Sequence, residues 1–97
     1  MDPRSSRKKK KIDYEALRSA LMHIPRIDVA TVRDLLDLGF ETTEDLIGRS
    51  PEALFEDILQ RKPRTPGDRL FSLRMAVYFA ESPDPDPKKL HPWIWKD

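Results

Sequence analysis

The stretch Leu21–Phe40, LMHIPRIDVATVRDLLDLGF, constrains this chain most. Leu17, Ala20, Leu21 and Ile24 fall at i, i+3, i+4 and i+7, one face of a helix. Pro25 ends that helix, because the residue before a proline is pushed out of the α region. Asp28 is placed to cap a second helix, on which Val32, Leu35 and Leu36 form an apolar stripe. Gly39 supplies the left-handed turn that closes it, and Phe40 packs back onto the pair.

The rest of the chain repeats this grammar. Asp13 caps the first helix. Thr42 and Asp45 form a capping box ahead of Leu46 and Ile47. Ser50 caps a helix with Pro51 at its first position, and Ala53, Leu54, Ile58 and Leu59 line its inner face. Thr65 and Pro66 repeat that start, and Leu70, Leu73, Val77 and Ala80 follow at helical spacing. The tract Ser82-Pro83-Asp84-Pro85-Asp86-Pro87 cannot be helical and runs extended. Helices are thus expected over 14–23, 29–38, 43–48, 51–61 and 66–80, with no strand. Leu21, Ile27, Leu35, Leu36, Leu54, Ile58, Leu73 and Val77 are the expected core. Three parts result: a disordered basic tail over 1–11, a helical domain over 12–81 and an extended Pro/Trp segment over 82–97 that docks on it.

Composition narrows the class. A chain of 97 residues with 38% hydrophobic and 36% charged residues suits one small helical domain. No cysteine is present, so disulfides and thiolate metal sites are excluded. No apolar run approaches the roughly 18 residues of a membrane span. The formal charge of +1 hides an asymmetry. Residues 1–11 carry six cations against Asp2, a net +5, whereas the remainder carries a net −4. Phosphate binding scales with local positive charge, so the tail matters more than the total.

The order HIPRIDVATVRDLLDLGF, TTEDLIG, SPEALFEDI, RLFSLRMAVYFAE and KKLHPWIWKD resembles the bacterial pathogenicity-locus family of small helix-hairpin-helix proteins, some of them labelled mitomycin-resistance proteins. The resemblance covers about residues 15–97, and its terminal WIWKD and RMAVYFAE are the more specific parts. It implies a fold and a bacterial cytoplasmic setting and supplies no mechanism. With the pattern above, the fold class is all-α, a tandem helix-hairpin-helix of five short helices with pseudo-twofold character. In DNA-binding hairpins the turn usually reads Gly-hydrophobic-Gly, and here those glycines are Arg26 and Asp28. Glycine lets the backbone approach a phosphate and leaves amides to donate. Asp28 can take those amides itself and places negative charge there, while Arg26 offers one cation. The first hairpin therefore reads as structural.

The second hairpin is the better anion site. Arg61, Lys62, Arg64, Arg69 and Arg74 lie within one turn and one helix, with Asp68 the only acid among them. Thr65 and Gly67 open the helix there, so hydroxyl, amide and helix dipole can converge on an anion. The plainer alternative is solvated charge with Thr65 as a cap. The run Arg7, Lys8, Lys9, Lys10 and Lys11 can grip phosphates by counterion release. Trp93 and Trp95 either stack on bases or pin the C-terminus, and pinning is favoured because a small domain needs large apolar anchors. Catalysis is not expected: His23 and His91 are the only histidines, and no nucleophile–base pair stands out. No cofactor or metal site is expected, since Asp84 and Asp86 alternate with prolines. Two functions remain open for a cytoplasmic, non-membrane protein. One is weak, sequence-independent association with a DNA or RNA backbone through tail and second hairpin. The other is docking of a partner protein without nucleic acid.

Overall fold

The computed structural model describes residues 12–97. It is all-α. Four α-helices, α1 (Tyr14–Leu17), α2 (Val29–Asp37), α3 (Pro51–Arg61) and α4 (Arg69–Glu81), are joined by 3-10 turns at Ala20–His23 after α1 and Thr43–Leu46 after α2, and two more, Pro87–Lys89 and Pro92–Trp95, follow α4. No strand occurs among the described residues. The expected disorder and phosphate contacts of Arg7–Lys11 lie outside them.

The first expected helix, 14–23, is interrupted. Asp13 Oδ1 accepts from the Ala16 amide at 3.0 Å and starts α1 as anticipated. Ser19 then turns extended, and its Oγ accepts from the Leu21 amide at 3.0 Å to cap a fresh 3-10 turn. A serine side chain competes with the helical backbone in this way. The break shifts the register, so Ala16 and Leu21 are buried while Leu17 and Ala20 face solvent.

α2 ends as its glycine demands. Gly39 has φ 94°, and its amide and that of Phe40 each donate at 3.0 Å, to Leu36 and Leu35 carbonyls. This paired closure satisfies the last carbonyls of the helix. At the other end, Asp28 occupies the cap position but makes no cap bond to a backbone amide; its carboxylate accepts from the Thr31 hydroxyl instead. The capping box at Thr42 forms fully: Thr42 Oγ1 accepts from the Asp45 amide at 3.3 Å, and Asp45 Oδ2 accepts from the Thr42 amide at 3.1 Å. It opens a 3-10 turn in which Leu46 is buried and Ile47 exposed. Ser50 and Pro51 start α3 as expected, but the inner face is Leu54 and Ile58, with Ala53 exposed.

α4 is the hub. It packs on α2, on α3, on the Thr43–Leu46 turn and on the C-terminal segment. Leu73, Met75, Ala76 and Val77 are all buried, so its apolar residues wrap around it rather than forming one stripe. A helix covered on several sides has that pattern. It begins at Arg69 rather than Pro66. The Thr65 hydroxyl donates to the Lys62 carbonyl at 2.8 Å, so it does not cap α4. Residues 82–86 are non-helical as expected, and the chain after them forms two 3-10 turns, each with proline at its first positions. Leu90 is buried there, and Trp95 packs on the core.

Seven of the eight expected core residues are buried, and Leu36 is half-buried at the edge. Leu35→Ala should therefore cost about 2–5 kcal/mol, as large-to-small core changes do, and Leu36→Ala clearly less. Chemical denaturation checks the ranking, and a larger loss at Leu36 would reverse the assignment of the α2 face.

The amides of Glu41 and Thr42 hold the Asp45 carboxyl below its ordinary range. A depressed carboxyl contributes stability that is present above its unfolded pKa and is lost as pH falls through its folded value. Stability should thus decline on acidification below about pH 4, and Asp45→Asn should weaken that decline. Melting temperatures taken across the acid range in both proteins measure it.

Candidate functional site

The second loop brings its cations together, but around an acid that the sequence does not advertise. Asp34 sits on α2 beside Leu35 and is 3% exposed. Lys62 Nζ donates to its Oδ1 at 2.8 Å, and the Arg69 guanidinium donates to Oδ2. Lys62 also lies 3.7 Å from Asp37. A buried carboxylate needs such partners, because an unpaired charge costs several kcal/mol to bury. Arg69 is therefore an internal partner of Asp34, with its side chain 13% exposed. Arg74 is also engaged. It pairs with Glu52 at 3.1 Å and donates to the Trp95 carbonyl at 2.6 Å and to Asp97 at 2.8 Å. Burial works against its charge, but these acids outweigh it and hold its pKa above the ordinary arginine value.

Arg61 and Arg64 stay exposed. Arg64 lines a shallow groove of about 330 Å³ that also contains Ala30, Lys62, Thr65 and Arg69. Gly67 is exposed and needs no left-handed backbone. Arg26 is exposed and has φ 61°, a left-handed conformation that costs a non-glycine residue about 1–2 kcal/mol. Arg26 therefore keeps the backbone conformation a glycine would take, without the glycine. It lines a second groove of about 530 Å³ with Asp28, Asp68, Arg69, Phe71 and Trp93. Pro66 and Arg69 line both grooves, so the two loops form one continuous surface.

The tryptophans divide. Trp95 Nε1 donates to the Lys89 carbonyl at 2.8 Å, and its ring centroid lies 5.3 Å from that of Tyr78. Trp93 is 60% exposed, with the His91 ring 4.6 Å away.

Sequence reading missed Asp34 and the second ionic cluster at Arg33. Arg33 contacts Glu15 at 2.8 Å, and Asp13 and Asp37 at 3.2 Å each, so it ties α1 to α2. The bond to Glu15 holds its pKa above the ordinary value, burial notwithstanding. The available signal for Asp34 was indirect: five cations over 61–74 with one acid among them need anions from elsewhere. No helix of the described residues is long and apolar enough to cross a membrane, and none of their acids and histidines cluster to hold a metal ion.

Arg69→Ala should destabilise the fold by about 1–3 kcal/mol, because it leaves one oxygen of a buried carboxylate without its donor while Lys62 keeps the other. Arg64→Ala should stay within about 0.5 kcal/mol, as exposed sites do. Adding Asp34→Leu to Arg69→Met should recover much of the loss. Equal melting temperatures for Arg69→Ala and Arg64→Ala would refute the internal role of Arg69.

No curated protein and no solved structure is significantly similar to the chain. Residues 15–97 match the Pathogenicity locus family (Cdd1), nearly all of the described chain from the middle of α1 to the final residue. The match takes in both loops, the Asp34 cluster and the tryptophan-bearing segment, and the chain belongs to the Pathogenicity locus family.

Proposed function

We propose that this protein is a non-catalytic helix-hairpin-helix module of the cytoplasm that associates weakly, and without sequence preference, with a nucleic-acid backbone. In this reading the two helix pairs, α1 with α2 and α3 with α4, are the two hairpins, joined through Asp34. The observation that carries it is Arg26. A strained left-handed residue persists where the DNA-binding turn uses glycine, and it presents a cation there. The Asp28 carboxylate is drawn to Thr31 rather than to the backbone amides of α2, so it does not cap them. Arg61 and Arg64 extend the exposed positive charge along the second loop. The tail adds six cations within its 11 residues. Lys62 and Arg69 are left out of the phosphate-contacting set because they serve the buried Asp34, and Arg74 because it pairs with Glu52 and Asp97.

Those internal pairs favour a second reading, a protein-docking module. Residues 12–97 also carry a net −4, and Trp93 and Ile94 are exposed.

Salt dependence separates the two. Log affinity for duplex and single-stranded oligonucleotides should fall with log salt at about −0.9 per phosphate neutralised on duplex. Removing residues 1–11 should flatten that slope by at most about 5, the share of six cations. In the shortened protein, Arg26→Ala and Arg64→Ala should each flatten the remainder by about one. Absence of salt-sensitive binding to DNA or RNA at low ionic strength eliminates the nucleic-acid reading and leaves protein docking.

A further inference from the structure

We propose that Trp93 is a base-stacking platform, and that the groove it shares with Arg26 takes single-stranded nucleic acid in preference to duplex. The proposal rests on the nucleic-acid reading above and names the form of the ligand. The two tryptophans of the terminal segment have different work. Trp95 has its indole N–H bonded and its ring against Tyr78, which is what an anchor requires. Trp93, two residues earlier, is 60% exposed although the same turn positions both. Its ring lies against His91, and Pro92 between them belongs to the groove wall. An exposed indole backed by a second ring offers a flat surface to a base, and every base has a π-face to place on it.

The groove supplies the remaining chemistry. Phe71 gives it an apolar wall and Arg26 a cation on the first loop. Asp28 and Asp68 also line it and oppose a phosphate inside. The same carboxylates accept hydrogen bonds from exocyclic amino groups, as acidic side chains do from cytosine N4. A nucleotide therefore fits with its base between Trp93 and the carboxylates and its phosphate toward Arg26. Within a duplex the base faces are stacked on one another and cannot reach Trp93. Cytosine carries an amino group in that position and thymine does not, so cytosine runs should be preferred.

Fluorescence anisotropy with short labelled oligo-dC, oligo-dT and a duplex of equal length tests this on the full chain. Trp93→Ala should weaken oligo-dC binding roughly tenfold, the order of one lost stacked base, and leave duplex affinity unchanged. Trp93→Phe should retain most of the affinity. Oligo-dC should quench tryptophan emission in the parent and much less in Trp93→Phe, where Trp95 is the sole indole. An unchanged melting temperature in Trp93→Ala shows that the loss is not unfolding. If Trp93→Ala binds oligo-dC as the parent does while salt-sensitive binding persists, stacking is overturned and the backbone reading stands. If no oligonucleotide binds at low salt, both fall together.

Discussion

A carboxylate inside the core is the constraint on which this structure turns. Asp34 is as buried as the leucines around it, and its two cations come from the far side of the molecule in sequence. Leaving it unpaired would cost several kcal/mol, a large share of the stability a domain this small can have. The segment between α3 and α4 must therefore fold so that Lys62 and Arg69 arrive together. Arg69 is the first residue of α4, three residues after the proline that marks its expected start. Its pairing with Asp34 fixes α2 against α4, and with them the surface that joins the two loops.

The same economy governs the C-terminus. α4 is apolar on several sides and needs a cover beyond α2 and α3. The terminal segment provides it through Leu90 and Trp95 and is fastened by Arg74, which reaches the Trp95 carbonyl and Asp97. Glu81 at the far end of α4 accepts from the Gly48 amide at 2.7 Å and ties down the Thr43–Leu46 turn. Charged residues along α4 thus act as fasteners for neighbouring segments. That use competes with ligand binding, since a guanidinium with a satisfied carboxylate has little to gain from a phosphate. Among the described residues, Arg26, Arg61 and Arg64 are cations of the two loops that stay exposed.

Arg26 and Trp93 stand apart from this scheme. Arg26 is held left-handed at a cost, and Trp93 is held in solvent beside a groove although an identical side chain two residues on is packed. Trp93 adds nothing to the core, whereas Arg26 completes the turn in which the Ile27 amide donates to the Ile24 carbonyl at 3.3 Å and both isoleucines are buried. Arg26 and Trp93 lie on one groove, together with the two acids that shape what can enter it.

The sequence by itself determined what depends on neighbours along the chain. The caps at Asp13, Thr42 and Ser50, the glycine closure at Gly39 and the apolar spacing of Leu54 with Ile58 and Leu73 with Val77 act over a turn or two, so they are legible as written. Local competition was harder to read: Ser19 offered its own cap and broke a helix whose periodicity ran through it. Only the tertiary structure decided which charges face solvent. Arg64 and Arg69 look equivalent in sequence, and they part because Asp34, 35 residues before Arg69, reaches one of them. The tertiary structure likewise decided that Trp95 packs and Trp93 does not, because Tyr78 and the Lys89 carbonyl can receive only one indole. Ion pairing and burial join residues distant in the chain, and no spacing along the chain encodes them.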